Sequence, residues 1–506
     1  MSTNNFAAWL LDNGAPNPAT ALLHRDERVS YGVLRSGVEE LAAELAQRFP
    51  KGERLGVFSD NSPFFVIAYL ATVRAGLCVV PFPPGVDEKV FRRIVISTNM
   101  QAAFVQPKYA HNAAQWTDGE LEIICTVDNR TNPTGPLSDI TLPGDLALLA
   151  FTSGSTGLPK AVMVTHENLR ANTSDILRYL QLTSQDRAMA ALPMSYCFGA
   201  SVLHTHLRAG ASLVLSASFM FPERVLDEMR THECTNFAGV PSTYQILLRK
   251  TGFARRRFPA LRFLQQAGGK LPASTIDELA EAHPNVKLFV MYGQTEATAR
   301  LSYLPPEMLT AKRGSIGRGL ASTKLEVLKA DGMPVLPGSE ETGEIVASGP
   351  SITKGYWNSP DETSLYFRDG KLHTGDLARV DADGYIYVVD RARDFIKSMG
   401  NRISPLEVED ALAAHPGVLH AAVIGTPDEL FGEAVTAFVV PRSRDAADEQ
   451  TLLTHCNARL ANHKVPRRVI FVDRLPMNAF GKVIKSQLRM PDPEVFEAPL
   501  SLATQA

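Results

Sequence analysis

Hydrophobic residues near the start of the chain switch between helical and strand spacing. Apolar residues recur on one face of residues 29–47, which predicts an amphipathic helix. Short apolar runs then flank a second helical stretch. The predicted elements are a helix at 29–47, a strand at 55–58, a helix at 63–74 and a strand at 77–81. A strand–helix–strand order needs a crossover connection and therefore predicts a parallel sheet.

The same alternation continues to about residue 300, with predicted strands at 102–105, 121–124, 146–151, 161–164, 212–215, 236–240 and 286–291, and helices at 221–232 and from residue 241. From 314 to 390 the pattern becomes glycine-punctuated and β-branched, which predicts a small antiparallel β subdomain. A compact α+β segment follows, with a helix at 405–413 and strands at 419–424 and 434–440. We therefore predict an α/β protein with a large domain of αβ-layered sheets and a small β subdomain (1–390), followed by a smaller α+β domain (391–506).

Composition narrows the class of protein. A chain of 506 residues exceeds one ordinary hydrophobic core and predicts two or more domains. A net charge of -3 argues against a nucleic-acid-binding protein, which usually has a basic surplus. Five scattered cysteines without a Cys-x-x-Cys pair indicate a reducing cytoplasm and no structural zinc. No secretion signal is evident and the longest apolar stretch, residues 63–73, is too short to cross a bilayer, so we expect a cytoplasmic protein without membrane insertion.

The stretch with the most distinctive chemistry is residues 152–160, Thr-Ser-Gly-Ser-Thr-Gly-Leu-Pro-Lys. Glycines let the backbone approach a ligand, and hydroxyls, N–H groups and an ammonium suit a polyphosphate. The stretch is not a Walker A loop, because two residues separate Gly157 from Lys160 and a strand, rather than a helix, follows. A polar surface turn is the common alternative for such a cluster, and other motifs of the chain decide against it.

Three further motifs carry chemistry only in combination. Residues 292–296, Tyr-Gly-Gln-Thr-Glu, follow a predicted strand and offer an aromatic ring, a hydroxyl and a carboxylate. Residues 374–376, Thr-Gly-Asp, are predicted to lie between two strands and provide a carboxylate that accepts two hydrogen bonds at once. A Gly-Lys pair at 481–482 closes the series. Each motif alone is equally typical of a turn.

Together, these motifs resemble those of the adenylate-forming superfamily, which includes acyl-CoA synthetases, nonribosomal adenylation domains and firefly-type luciferases. The resemblance extends in order over residues 152–482 and matches every position of the family's phosphate loop. It implies a large AMP-binding domain and a small mobile C-terminal domain that pivots near Arg393. It also implies ATP, Mg²⁺ and coenzyme A, or a carrier protein's phosphopantetheine, as cofactors and substrates.

The resemblance also implies roles for individual residues. The catalytic residues would be Lys482, Glu296 and Thr152, with Glu296 holding Mg²⁺, Tyr292 packing on adenine and Asp376 binding the ribose hydroxyls. The nucleotide would be bound by Thr152, Ser153, Gly154, Ser155, Thr156, Gly157, Lys160, Tyr292, Gly293, Thr295, Asp376, Arg391 and Lys482. The thiol channel would include Gly400 and Arg402.

The acyl pocket departs from the family pattern. Tyr196 stands where many acyl-CoA synthetases have a histidine, and residues 193–199 lack the aspartate with which relatives bind an α-amino acid. The predicted pocket residues are Tyr196, Phe198, Gly239, Gly268 and Gly269. Because the pocket stretches are mostly apolar or small, the sequence weakly favours an uncharged acyl or aryl tail. The nearby pair of histidines, His204 and His206, has poor spacing for zinc.

The most specific hypothesis is an AMP-forming acid–CoA ligase that acts on a small-molecule carboxylic acid, as a monomer or homodimer. CoA is favoured because the chain stands alone, without a fused carrier module. One alternative is an adenylation enzyme that loads an acyl or aryl group onto an acyl carrier protein. A catalytically inactive binding protein is another, which the intact Lys160, Glu296, Asp376 and Lys482 argue against.

Overall fold

The computed structural model describes residues 4–82, 85–127, 137, 141–142, 144–152, 160–216, 219–391, 394–398, 401–428, 432–443, 446–477 and 483–488. These residues form two compact units, one ending at Phe395 and the other beginning at Ile396. The helices are α1 (Phe6–Leu11), α2 (Tyr31–Arg48), α3 (Pro63–Arg74), α4 (Glu88–Thr98), α5 (Pro107–Trp116), α6 (His166–Leu180), α7 (Cys197–Arg208), α8 (Pro222–Thr231), α9 (Pro241–Lys250), α10 (Ala273–Ala282), α11 (Pro360–Tyr366), α12 (Pro405–Ala413) and α13 (Glu449–Asn457).

The strands of the first unit are β1 (Thr20–His24), β2 (Glu27–Ser30), β3 (Arg54–Phe58), β4 (Cys78–Pro81), β5 (Ala102–Val105), β6 (Glu122–Ile124), β7 (Leu146–Thr152), β8 (Lys160–Thr165), β9 (Arg187–Ala190), β10 (Ser212–Leu215), β11 (Asn236–Gly239), β12 (Phe263–Gln266), β13 (Lys287–Tyr292), β14 (Ser302–Leu304), β15 (Arg318–Gly319), β16 (Lys324–Leu328), β17 (Gly343–Ser348), β18 (Phe367–Arg368), β19 (Lys371–Val380) and β20 (Ile386–Arg391). Those of the second unit are β21 (Ile396–Ser398), β22 (Asn401–Ile403), β23 (Val418–Asp428), β24 (Gly432–Pro441) and β25 (Arg468–Phe471).

The predicted strand–helix–strand unit near the N-terminus is confirmed. Helix α3 begins with Pro63 in its first turn, and the Ser62 hydroxyl caps it by accepting a hydrogen bond from the Phe65 N–H at 3.2 Å. Strands β3 and β4 pair in parallel on either side of this crossover. They belong to a six-stranded sheet ordered β6-β5-β3-β4-β7-β8, which is parallel except for the β7–β8 pair.

A second, nine-stranded sheet has the order β15-β14-β13-β12-β11-β9-β10-β1-β2. Its centre is parallel and its edges are antiparallel. One hydrophobic cluster contains residues of both sheets and of helices α2, α3, α6 and α7. These helices therefore pack against both sheets, which confirms the predicted α/β layering.

The small β subdomain is also confirmed, with two corrections. Its antiparallel sheet, ordered β16-β17-β19-β18 with β20 paired to β19, begins at Lys324, because residues up to Gly319 extend the nine-stranded sheet instead. Residues 374–376 do not lie between two strands. They form a bulge inside β19, where the register against β17 shifts and Gly375 adopts a φ of +74°.

In the second unit, strands ordered β22-β21-β24-β23 form an antiparallel sheet, with β25 added in parallel to β24. The predicted helix at 405–413 is confirmed as α12, which Ser404 caps by accepting from the Glu407 N–H at 3.2 Å. The predicted strands are present but longer than expected, as β23 and β24. Helices α12 and α13 bury apolar residues against this sheet.

Candidate active site

Three residues predicted to bind the nucleotide are in contact, because Tyr292 and Arg391 both donate to the carboxylate of Asp376. The Tyr292 hydroxyl donates to Asp376 Oδ2 at 2.6 Å, and Arg391 Nε donates to Asp376 Oδ1 at 3.1 Å. Asp376 and Arg391 are directly paired across strands β19 and β20, whereas Tyr292 ends β13 of the nine-stranded sheet. Burial, and next the nearby Asp376 carboxylate, raise the pKa of Tyr292 well above its usual value, so the phenol stays a donor.

The bulge in β19 orients this carboxylate. The positive φ of Gly375 turns the backbone so that its N–H donates to Glu344 Oε1 at 2.9 Å. The Thr374 hydroxyl donates to the Ile345 carbonyl at 2.8 Å and accepts from the Asp376 N–H at 3.2 Å. The Thr-Gly-Asp sequence thus uses its first two residues to hold the third.

Glu296, the predicted magnesium ligand, is held at both its backbone and its side chain. The Tyr356 hydroxyl donates to Glu296 Oε1 at 2.8 Å. The Glu296 carbonyl accepts from the Thr353 N–H at 3.0 Å and from its hydroxyl at 2.8 Å. Burial, followed by the charge of Glu296, raises the pKa of Tyr356, which keeps the phenol protonated as a donor to the carboxylate.

The turn that carries Glu296 is tight. A Cβ on Gly293 would lie 2.0 Å from the Ala299 carbonyl oxygen, so no larger residue fits there. Thr298 has φ +68° and ψ -62°, and the Ala299 N–H donates to the Ala297 carbonyl at 2.7 Å across it, which is a strained γ-turn. Thr295, predicted to contact phosphate, is buried beside Cys197, with 3.5 Å between its hydroxyl and the sulfur.

The two ends of the predicted phosphate loop face each other. Thr152 and Lys160 are paired across β7 and β8, and the loop residues Ser153, Gly154, Ser155, Thr156 and Gly157 lie outside the described residues. Lys160 forms an ion pair with Glu362, and its ammonium lies 5.5 Å from the ring centre of Tyr356 and 5.8 Å from that of Tyr366. The lysine therefore contacts the same tyrosine that binds Glu296.

The predicted pocket glycines lie where side chains would collide. A Cβ on Gly239 would be 2.9 Å from Thr243, and one on Gly269 would be 3.3 Å from Pro241. Gly268 has a φ of +87°, and a Cβ there would lie 3.1 Å from Val240. These glycines keep the chain close to helix α9.

Tyr196 lies beside these glycines, with its hydroxyl 3.9 Å from the position that a Cβ on Gly268 would occupy. Burial raises the pKa of Tyr196, so this side chain is a neutral phenol. Phe198, which follows in α7, is buried and lies 4.6 Å below the guanidinium of Arg300. Tyr196 and Phe198 thus contact different groups.

The remaining predicted residues either lie wholly or partly outside the described residues or belong to the core. Lys482 and Gly400 lie outside the described residues, and Arg402 is described only in the backbone of β22. His204 bonds to the Tyr69 hydroxyl at 3.1 Å, and His206 bonds to the Val202 carbonyl at 2.8 Å. These two histidines are core residues with separate partners.

The single carboxylate of Glu296 fits Mg²⁺ held together with a nucleotide. In the described part of the chain, no group of three His, Cys, Asp or Glu side chains could hold a metal by itself. Magnesium bound with phosphates usually takes one or two protein carboxylates and completes its shell with phosphate oxygens and water. Glu296, half-buried and oriented by Tyr356, suits that mode of binding.

The sequence model of the AMP-binding enzyme family matches residues 12–357, and the model of its C-terminal domain matches residues 407–482. A feruloyl-CoA synthase from Amycolatopsis is 35% identical over 497 residues, covering 97% of this chain and 99% of that protein. The chain belongs to the AMP-binding enzyme family. The predicted superfamily and two-domain fold class are therefore confirmed.

Solved structures similar to this AMP-binding enzyme contain the expected ligands. The o-succinylbenzoate CoA synthetase of Bacillus subtilis in complex with its acyl-adenylate intermediate has a TM-score of 0.85 and 28% identity, covering 97% of this chain and 99% of that one. The same synthetase with ATP and magnesium has a TM-score of 0.82 and 29% identity, covering 95% and 98%. None of the described helices is long and apolar enough to cross a membrane.

Four residues of this site were not assigned from sequence. Tyr356 lies in the sequence Gly-Tyr-Trp at 355–357, which resembles a structural motif of the family and not a ligand-binding one, and Thr353 precedes it. Glu362 pairs with Lys160 from 202 positions away, which no local pattern indicates. Arg300 had a detectable signal, because a single charge interrupts a run of small and apolar residues just after the Tyr-Gly-Gln-Thr-Glu motif.

Proposed function

We propose that this AMP-binding enzyme is an ATP-dependent ligase that joins a carboxylic acid to the thiol of coenzyme A through an acyl-adenylate. The observation that carries the proposal is the arrangement around Asp376. Its carboxylate accepts one hydrogen bond on each oxygen, from Tyr292 and Arg391. A carboxylate has about four acceptor positions, so about two remain for the vicinal hydroxyls of a ribose.

The other residues have complementary roles in this proposal. Tyr292 provides a ring for the adenine, and Glu296 provides the carboxylate for Mg²⁺, which neutralises phosphate charge when bound. Lys160 would exchange its ion pair with Glu362 for the nucleotide's phosphates. The acid's carboxylate oxygen attacks the α-phosphorus, the bond to pyrophosphate breaks, and Lys482 offsets the charge that develops.

The second half-reaction transfers the acyl group. The thiol sulfur attacks the acyl carbon, its proton passes to solvent, and AMP leaves as the bond between the acyl carbon and the phosphate oxygen breaks. The names of the feruloyl-CoA synthase and of the o-succinylbenzoate CoA synthetase support CoA as the acceptor. A domain boundary near residue 391, a pivot at Arg393 and a thiol channel at Gly400 and Arg402 remain proposals from the sequence.

We place the reaction in a reducing compartment, the cytoplasm. All five cysteines are free thiols, and three of them are buried. Burial raises the pKa of Cys78 to about 12, which makes that thiol unreactive. The oligomeric state, monomer or homodimer, remains a prediction.

The decisive experiment measures pyrophosphate and AMP release with a panel of carboxylic acids, with and without CoA. We expect acid-dependent pyrophosphate release, and steady AMP formation only when CoA is added. The Glu296→Gln variant, which keeps the side chain's shape, serves as the inactive control. Stable adenylate that discharges only onto a phosphopantetheinylated carrier protein would replace the CoA assignment by carrier loading. Absence of pyrophosphate with every acid would refute the ligase function.

A further inference from the structure

Unpaired buried polar atoms are concentrated at one place in the described part of the chain. Four side-chain atoms there lack a hydrogen-bond partner, and they belong to only three residues, Gln266, Gln294 and Arg300. Gln266 ends β12, and the other two follow the end of the neighbouring strand β13. Leaving such an atom unpaired costs about 1–3 kcal/mol, so a group of them near the ends of two neighbouring strands requires an explanation.

Arg300 is the most costly of the three. It is 1% exposed, and its Nε and Nη2 have no partner among the described residues. The face of its guanidinium is covered by the ring of Phe198 at 4.6 Å, which leaves the edge available. Asn172 holds its backbone from both sides, accepting from the Arg300 N–H at 3.2 Å and donating to its carbonyl at 2.7 Å.

The identity of the unpaired atoms specifies a ligand. Nε and Nη2 are the two nitrogens whose N–H bonds point in parallel along one edge of a guanidinium. That edge matches the spacing of two carboxylate oxygens, so the pair binds a carboxylate in a bidentate manner. Arginine stays charged when buried, so an anion is favoured over a neutral acceptor.

The turn before Arg300 shows that its position is built into the fold. The strained γ-turn at Thr298 separates Glu296 from Arg300, so both side chains project from one short segment. The Thr298 hydroxyl stabilises the turn by donating to the Ser351 carbonyl at 2.7 Å. A non-glycine residue in such a conformation costs about 1–3 kcal/mol, and strain of this kind is concentrated at functional sites.

We propose that Arg300 binds a second carboxylate on the acid substrate, so that the enzyme activates a dicarboxylic acid at one end while Arg300 holds the other. This inference rests on the proposed ligase function and names its substrate class. Phe198, stacked on the guanidinium, would contact the apolar spacer between the two carboxylates. The sequence had favoured an uncharged tail, but the apolar stretches behind that expectation do not include residue 300.

The reactive carboxylate is a poorer partner for Arg300. It loses its charge when it becomes the mixed anhydride with AMP, which would leave the buried guanidinium unpaired in the middle of the reaction. Removing one partner of a buried ion pair is strongly destabilising. A distal carboxylate keeps its charge through adenylation and thioester formation, so Arg300 stays paired throughout.

The test compares matched acids, each a straight-chain or aryl monoacid and the diacid that adds a carboxylate at its far end. Pyrophosphate release gives kcat/KM for the wild type and for Arg300→Met and Arg300→Lys. A site built for a polar group rejects the analogue that lacks it, so we expect the wild type to prefer one diacid over its monoacid by at least about 10²-fold. Arg300→Met should abolish this preference. Arg300→Lys keeps the positive charge but cannot donate two parallel hydrogen bonds to a carboxylate, so it should keep only part of the preference.

Thermal unfolding without ligand separates recognition from a structural role. Because Arg300→Met replaces a buried charge that has two unpaired nitrogens by an apolar chain, its melting temperature should not fall below that of the wild type. The matched control is Arg74→Met, which removes a buried arginine that is paired with Glu39 at 2.7 Å and should lower the melting temperature without changing the diacid preference. The preferred diacid should raise the melting temperature of the wild type but not of Arg300→Met.

Each contrary result has a distinct meaning. If the wild type prefers the monoacids, the dicarboxylate inference fails and the ligase function stands. If Arg300→Met unfolds at a lower temperature and loses activity equally with both acids of a pair, Arg300 is structural. If no acid releases pyrophosphate, the ligase function fails, and the diacid-dependent thermal shift still decides whether Arg300 binds a carboxylate.

Discussion

The substitution Asp376→Asn tests the nucleotide site most directly. The aspartate accepts from Tyr292 at 2.6 Å and from Arg391 at 3.1 Å, and it has about two further acceptor positions for a ribose. Asparagine has the same shape but only one acceptor oxygen. It can serve its two protein partners or the ribose, but not both, so ATP binding should weaken although the fold is unchanged.

The expected size of the effect follows from these contacts. A hydrogen bond to a charged group contributes about 1.5–3 kcal/mol, and a neutral one about 0.5–1.5 kcal/mol. Replacing two charged bonds to the ribose by at most one neutral bond therefore costs about 3 kcal/mol, which raises Kd for ATP roughly 10²-fold.

Calorimetric titration of the folded variant with ATP and Mg²⁺ measures this change. The matched control is Asp381→Asn, which removes a charge just beyond the end of the same strand. Asp381 forms an ion pair with Lys312 at 2.8 Å and does not belong to the contacts of Asp376. The control should bind ATP like the wild type. An unchanged Kd in folded Asp376→Asn, or an equal increase in both variants, would refute the ribose assignment.

Three further predictions follow from the site and the core. Lys482→Ala should slow adenylate formation about 10²–10³-fold but leave thioester formation from pre-made adenylate nearly unchanged, and equal loss in single-turnover assays of both steps would count against this. Gly293→Ala should lower the melting temperature, because its Cβ would lie 2.0 Å from the Ala299 carbonyl, and an unaltered midpoint contradicts this placement. Burial lowers the pKa of His166 to about 4 and of His204 to about 3. The unfolded chain therefore binds protons first, near pH 6.5, and stability should fall as the pH drops below that value, by up to about 1.4 kcal/mol per pH unit for each histidine. The midpoint of His204→Phe should depend less on pH between 7 and 5 than that of the wild type, and an equal dependence would refute the assignment of a buried neutral imidazole.

Much of the fold was predictable because local patterns agree with the final packing. Helix α3 has a serine cap, a first-turn proline and a nearly continuous apolar sequence, and all three features are visible in the sequence. Helix α12 was predicted to the residue for similar reasons. The bulge in β19 was missed because glycine followed by aspartate is typical of a turn, and only pairing with β17 on one side and β20 on the other keeps these residues in a strand.

The motifs named the residues that the structure gathers around Asp376, but not the contacts that orient them. Tyr356 reaches Glu296 from 60 positions away, and Glu362 reaches Lys160 from 202. Such pairings depend on how sheets pack, which hydrophobic periodicity does not encode. The burial of Arg300 likewise depends on Phe198 from another element, so the charge alone did not show that Nε and Nη2 lack partners among the described residues.

The contact between Glu296 and Thr353 joins the two ends of a long segment of the chain, which we call the excursion. These residues are 57 positions apart, and the backbone between them runs through strands β14 to β17 before it returns. Because two hydrogen bonds fasten the entry of the excursion to its exit, lengthening or shortening a surface turn within it need not displace either end. A change in the length of such a turn is therefore compatible with an unchanged position of the Glu296 carboxylate.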